Sequence, residues 1–291
     1  MYTKQSAATA AEIAAKYLKN YFKIEEVSTA IVLGTGLNNT IVFDTPPKKE
    51  PVPFHWLPLP EVSNLPGLDG HARTIQLGYV DGEPILVLNG RFHMNETIMN
   101  PELIKMVRLQ IEMLPYMGVK KLILTCAAGS IGIRGGLHPE VGDVVLIDGF
   151  ITLYAPKRPL FGGEFNSAED ALSPDLIKIA QTSYPTRRWW KNGTYAMVCG
   201  PDLEGRKRDK DILHRDGACC VGMSILTEAA VAAQYPPMEV LALAFISNDW
   251  LEKDSHQLNK NRMEQHKEDN IKLLTGVASA VAHCEETVGA Q

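Results

Sequence analysis

The sequence predicts an α/β fold: one domain, spanning 1–291, with a central β-sheet flanked by helices. Three observations predict it. Short β-rich apolar runs recur along the chain, and several of them end in glycine. Longer segments with helical spacing of their apolar residues stand between those runs. No linker divides the chain, and no internal repeat or low-complexity tract interrupts it. Strands alternating with helices bury their apolar faces by placing helices over a sheet.

Taken in order, residues 7–21 carry apolar positions at helical spacing with good helix formers between them, which predicts a helix. The run TAIVLG, 29–34, predicts a buried strand ending in glycine. The segment 45–60 holds six prolines and is expected as an irregular surface excursion. PILVLNG (84–90) and KKLILTCAAG (120–129) again predict strands running into glycine. Between them 101–118 predicts a helix, with Pro101 suited to its first turn and Gly118 near its end. Strands are expected at 141–153, 194–200, 219–224 and 238–248. Helices are expected at 205–217, at ILTEAAVAAQY, and as one long terminal helix over 260–284.

Composition excludes several classes of function. The chain is 45% hydrophobic and 22% charged, with a formal net charge of −5. An acidic balance disfavours nucleic-acid and anionic-membrane partners, which select basic surfaces. Any anion must then be attracted by a local site. The five cysteines form no CxxC pair and no metal-ligand spacing, which predicts reduced thiols in a cytoplasmic protein and no metal site. The alanine-rich N-terminus lacks the continuous apolar core of a secretory signal, and no apolar run reaches transmembrane length.

In open α/β sheets ligands bind outside the carboxyl ends of strands. Those ends carry GTGLNN (34–39), GRFHM (90–94), CAAGS (126–130), GPDLEG (200–205), GMS (222–224) and SND (247–249). Glycines let backbone N–H groups approach a ligand, and successive amides form an anion nest. Arg91 and His93 stand at i and i+2, on one side of an extended segment, and both can donate to an anion. GTGLNN lacks the third glycine of a dinucleotide fingerprint and the Gly-Lys-Ser/Thr ending of a P-loop. Each motif alone has an ordinary structural reading: a tight turn, a core histidine, or a carboxylate at a helix start.

The ordered set resembles the trimeric, low-molecular-mass purine nucleoside phosphorylase family along almost the whole chain. The family pattern runs Gly-Ser-Gly-Leu, Gly-His, Gly-Arg-x-His-x-Tyr-Glu, Asn-Ala-Ala-Gly, Gly-Pro-x-x-Glu-Thr, Gly-Met-Ser and Thr-Asn, then a histidine on the last helix. Here GTGL, DGHAR, GRFHMNE, CAAG, GPDLEG, GMS, SN and EQHKE follow in that order. The resemblance implies a mixed, partly barrel-like sheet. It also implies phosphate-dependent cleavage of inosine- or guanosine-type nucleosides to free base and (deoxy)ribose 1-phosphate. That is a pentosyltransferase reaction of purine salvage, in a cytoplasmic homotrimer, with inorganic phosphate as co-substrate and no cofactor.

Site roles follow from the same resemblance. Thr35, His71, Arg91, His93, the Ala127 amide and Ser224 would hold phosphate. Leu203, Glu204, Val221, Met223 and Asn248 would hold the purine. Asn95, Tyr195, Met223, His266 and Phe161 would surround the sugar, Phe161 from a neighbouring subunit. His93, Glu204 and Asn248 would carry the chemistry. Asn95 stands where the family has a tyrosine, Leu203 where it has an aromatic, Cys126 where it has an asparagine, and Gly205 where it has a threonine. These departures keep the phosphate residues and alter the nucleoside residues. Two alternatives follow: a phosphorylase of 6-amino or 5′-modified nucleosides, favoured by the extra carboxylate of Asp249, and a nucleoside- or phosphate-binding protein without turnover.

Overall fold

The protein is described here by a computed structural model covering residues 3–59, 71–98, 102–132, 137–156, 158–184, 189–200, 207–249 and 256–284. The described strands are β1 (Thr29–Leu33), β2 (Val52–Pro53), β3 (Thr74–Val80), β4 (Glu83–Asn89), β5 (Lys121–Ser130), β6 (Val144–Ile151), β7 (Trp189–Met197), β8 (Cys220–Gly222) and β9 (Glu239–Asn248). The described helices are α1 (Lys4–Phe22), α2 (Leu103–Tyr116), α3 (Pro174–Ser183), α4 (Lys207–Arg215), α5 (Leu226–Ala232), α6 (His256–Gln265) and α7 (Lys267–His283).

The strands form one sheet in the order β2-β3-β4-β1-β5-β8-β7-β6-β9, and β5 pairs also with β9. That second pairing closes β5, β8, β7, β6 and β9 into a barrel, while β2, β3, β4 and β1 remain an open extension. Parallel pairing of β1 with β4 and β5, and of β5 with β9, brings four carboxyl ends to one edge. The partly barrel-like, mixed sheet is therefore present.

Alternation along the central strands shows why they sit there. Ala30 and Val32 of β1 join one core cluster with α1 and α2, whereas Ile31 and Leu33 join a second cluster with α7. On β9, Val240, Ala242 and Ala244 face the first cluster, and Leu241, Leu243 and Phe245 the second. A strand covered on both faces reads as an unbroken apolar run, which is how β1, β5 and β9 appear in the sequence. Thr3 and Ser6 form a capping box at the start of α1. Gly118, at φ 94°, takes the left-handed turn after α2 that a side chain would strain.

Four expectations change. The proline-rich segment is not wholly an excursion: Val52 and Pro53 pair with β3 at the sheet edge, where proline is tolerated, and Val52, Phe54, Leu57 and Leu59 are buried. β3 was not expected. It forms a hairpin with β4 through Asp81 and Gly82, both at positive φ, the Asp-Gly pairing of a type I′ turn. α3 was not expected either, although Ser173 caps it and Pro174 occupies its first turn. The terminal helix is two helices, α6 and α7, which meet at His266 (φ −97°, ψ 9°).

Candidate active site

The turn after β1 is built against β5. A Cβ on Gly34 would lie 2.7 Å from the Cys126 Cα and 2.8 Å from the Thr125 carbonyl oxygen, so no side chain fits there. The Gly34 N–H donates to Thr125 Oγ1 at 3.0 Å, and that hydroxyl donates to the Val32 carbonyl at 2.9 Å. This contact places the Gly34-Thr35 turn against the start of the CAAG run of β5, at Cys126.

After β4 the chain turns at Gly90 (φ 94°), whose N–H donates to the Leu33 carbonyl at 3.2 Å. A Cβ there would come within 2.8 Å of the His71 Cβ. The close approach lets the Arg91 N–H donate to His71 Nδ1 at 3.3 Å. Since Nδ1 accepts, Nε2 carries the ring proton and donates to Thr35 Oγ1 at 3.2 Å. Thr35 then keeps its own hydroxyl proton for another acceptor. Burial, with the nearby His93, Arg91 and Arg73, drives the His71 pKa from 6.5 down to about 2, so this ring is neutral.

The His93 ring stands edge-on to His71, with centroids 4.8 Å apart. Glu96 Oε1 accepts the His93 backbone N–H at 2.8 Å and faces its Nδ1 at 3.3 Å. Burial alone would raise the Glu96 carboxyl, but hydrogen bonds from His93 and Arg73 outweigh it and hold the pKa near 2. An ionised carboxylate can only accept, so His93 carries a proton on Nδ1, and Nε2 is the nitrogen left for a ligand.

Arg91 differs from expectation. Its side chain is 1% exposed, and its two terminal nitrogens bond to the protein, while its buried Nε has no hydrogen-bond partner among the described residues. It donates to Glu228 Oε2 at 3.0 Å, to the Thr125 carbonyl, and to the Val32 carbonyl at 3.5 Å. Glu228 also accepts the Ile225 N–H at 3.2 Å. Arg91 thus ties the ends of β1 and β5 to the loop carrying Ser224 through its terminal nitrogens. Ile225, a β-branched residue at φ 65°, occupies a conformation that costs on the order of 1–3 kcal/mol. The strained residue directly follows Ser224.

Tyr195 also has a different use. It is fully buried, and its hydroxyl accepts the Ser224 N–H at 3.1 Å. The tyrosine therefore supports the Ser224 loop from beneath. Asn95 and Met223 are brought together, with Asn95 Nδ2 at 4.0 Å from Met223 Sδ. Asn95 Oδ1 is buried and has no hydrogen-bond partner among the described residues. Val221 is buried on β8. Asn248 is fully buried at the end of β9, opposite Gly129, and its side-chain oxygen accepts from Ser247 Oγ at 3.2 Å. Asp249 follows it, with Oδ2 at 3.9 Å from His138 Nε2. Leu203 and Glu204 lie outside the described residues.

Two further sugar-site candidates, His266 and Phe161, are placed by their packing within the chain. The C-terminal residue packed on the GTGL turn is Met263, whose Cβ would lie 2.7 Å from a Cβ on Gly36. His266 is one helical turn further along and packs instead on Gly142. Phe161 lies on the Arg108 guanidinium, 4.5 Å away, above a buried cluster of Arg108, Glu112 and Glu164. The aromatic that the same loop presents outward is Phe165, 90% exposed.

Sequence reasoning missed Arg73 and Glu228. Arg73 stands two residues after His71, the spacing that drew attention to Arg91 and His93. It is 6% exposed, donates to Glu96 Oε2 and to the Arg91 carbonyl at 3.3 Å, and lies 4.3 Å over the Phe92 ring. Glu228 gave no local signal, because its partner is 137 residues away.

Comparison with known proteins gives one consistent answer. The family model described as Phosphorylase superfamily matches residues 30–281. Purine nucleoside phosphorylase of Rattus norvegicus is 30% identical over 265 residues, covering 84% of this chain and 85% of the relative. That of Mycobacterium tuberculosis is 32% identical over 237 residues, covering 81% of each. Among solved structures, isoform 2 of purine nucleoside phosphorylase from Schistosoma mansoni, in complex with cytosine and ribose-1-phosphate, superposes with a TM-score of 0.76. At 24% identity, with 96% of this chain and 97% of that one covered, it bears on the fold.

Proposed function

This chain belongs to the phosphorylase superfamily, among its purine nucleoside phosphorylases, and from that premise we propose how its residues perform the reaction. The enzyme cleaves purine nucleosides with inorganic phosphate, giving free base and pentose 1-phosphate. The observation that carries the residue assignment is the convergence of Thr35, His71 and His93 at the strand ends, with Asn95 and Met223 close by.

Phosphate lies against the Thr35 hydroxyl, His93 Nε2, the Ala127 amide and the Ser224 hydroxyl. His71 acts through Thr35, since its Nε2–H occupies one lone pair of that hydroxyl and directs the hydroxyl proton outward. Arg91 organises the site from behind, through Glu228 and the two strand carbonyls. The orphaned Asn95 Oδ1 accepts a sugar hydroxyl, which satisfies a buried acceptor that otherwise lacks a partner. Asn95 thereby takes up part of the sugar binding for which the family uses a tyrosine.

As the glycosidic bond breaks, the sugar becomes cationic and the base anionic. Phosphate stabilises the cation from one face and attacks the anomeric carbon with inversion. Asn248 stabilises charge developing on the purine, and Glu204 accepts N1–H of a 6-oxopurine. Removing one preorganised donor of this kind typically costs roughly 3–4 kcal/mol of transition-state stabilisation. No metal or organic cofactor takes part. The working form is a cytoplasmic homotrimer serving purine salvage, and Phe165, the outward aromatic, takes the cross-subunit place expected of Phe161.

Asp249 supports a second reading, in which a carboxylate beside Asn248 accepts the exocyclic amine of a 6-aminopurine. Competition among inosine, guanosine, adenosine and methylthioadenosine at saturating phosphate decides between them. Preference for inosine and guanosine supports the 6-oxopurine assignment. Preference for adenosine or methylthioadenosine transfers it to Asp249.

A further inference from the structure

Arg73 is placed at a cost. It holds a left-handed backbone conformation, φ 52°, where a long side chain is disfavoured, and it is buried. A conformation of this kind persists only when its surroundings fix it. Here they fix the guanidinium on three sides: against Glu96, against the Arg91 carbonyl, and over the Phe92 ring. Glu96 divides its oxygens, Oε2 taking Arg73 and Oε1 taking the His93 N–H and facing His93 Nδ1. Arg73, Glu96 and His93 therefore form a chain that ends on an imidazole.

We propose that Arg73 is a positioning residue of the phosphate site, acting through Glu96 to hold the His93 ring with Nδ1 protonated and Nε2 free for the anion. Without Arg73, Glu96 keeps the His93 hydrogen bonds but loses the cation that fixes its other oxygen. The carboxylate can then turn, and the ring can take its other tautomer. Phe92 makes the arrangement stiff, since its ring carries the guanidinium on one face and meets Phe54 edge-on. The assignment of His93 to phosphate belongs to the proposed function, and this inference rests on it.

Two readouts separate the inference from that function. The first is the 15N spectrum of histidine-labelled protein, which distinguishes a protonated from an unprotonated ring nitrogen without any turnover. The second is steady-state phosphorolysis with phosphate varied. Glycine tolerates the backbone at 73, so Arg73→Gly removes the side chain and the strain together, and Arg73→Gln keeps side-chain bulk without charge. Wild type should show His93 protonated at Nδ1, and both variants should lose that signature. The KM for phosphate should rise about tenfold, as for a charge-assisted hydrogen bond lost, with less change in the KM for nucleoside. In a Glu96→Gln background, Arg73→Gly should add little, because both act through one path. A wild-type His93 tautomer and phosphate KM in both variants would overturn the proposal. An Nε2-protonated His93 in wild type would also overturn it. Wild-type protein that releases base without phosphate would instead refute the functional assignment, leaving the tautomer measurement to stand alone.

Discussion

Removing Arg91 should destabilise the fold more than it weakens phosphate binding. Its guanidinium and the Glu228 carboxylate are each 1% exposed and lie 3.0 Å apart. Arg91→Ala leaves Glu228 buried without its cation and removes one donor each from the Thr125 and Val32 carbonyls. Breaking one side of a buried ion pair costs about 3–5 kcal/mol. Unfolding entropy near 2.1 cal/mol/K per residue gives roughly 0.6 kcal/mol/K for 291 residues, so Tm should fall by about 5–8 °C. Calorimetry with and without phosphate is the assay, and the drop should be similar in both. The double variant Arg91→Met, Glu228→Leu removes both charges and should recover most of the loss, because the desolvation cost of the pair disappears with it. An Arg91→Ala protein that melts with wild type, while its phosphate dependence collapses, would refute the structural reading. The guanidinium would then face the anion.

Acid should destabilise the protein through His71. The unfolded chain takes up a proton near pH 6.5 that the folded ring refuses until about pH 2, so stability falls as pH falls across that window. The slope is up to roughly 1.4 kcal/mol per pH unit, and Glu96 adds in the same direction below its ordinary pKa of 4.5. Melting curves between neutral and mildly acid pH should therefore be steeper for wild type than for His71→Gln, and parallel curves would contradict the neutral ring. Gly34→Ala should abolish activity and lower Tm, since its Cβ meets backbone at 2.7 Å; a crystal structure showing an undisturbed turn would count against the packing described. Glu204→Gln should reduce inosine kcat/KM by about a hundredfold, the scale for losing a charged acceptor to a matched donor, and near-normal turnover would remove it from the base site. Phe165→Ala should raise the KM for nucleoside without changing Tm. An unchanged KM would deny the exposed ring a place in a neighbouring site.

The placement of the candidate residues was legible because strand ends of a parallel sheet gather at one edge. The GTGL, GRFH, CAAG, GMS and SN runs were each visible as a β-rich run ending in glycine or polar residues, and the structure places them where parallel strands finish. What could not be read was which polar groups satisfy each other. Arg91 looked like a ligand for an anion because its partner, Glu228, comes from a distant helix that lies against it only after folding. Tyr195 and Phe161 were identified as aromatics near the site, but burial and a hydroxyl hydrogen bond fix the first, and Arg108 holds the second. The break at His266 was hidden because continuous helical spacing runs through both helices; Met263, before it, packs on the GTGL turn, and His266 packs on Gly142. Other signals were present and unread. Asp81-Gly82 announces the β3–β4 hairpin, and Ser173-Pro174 the start of α3.

The central claim is that inorganic phosphate is the nucleophile. Release of hypoxanthine from inosine at neutral pH, measured with and without phosphate, tests it most directly. The proposed chemistry predicts release that saturates with phosphate, is negligible without it, and yields ribose 1-phosphate in equal amount. Release at the same rate without phosphate, giving free ribose, would contradict it. So would no release from inosine, guanosine or adenosine in saturating phosphate.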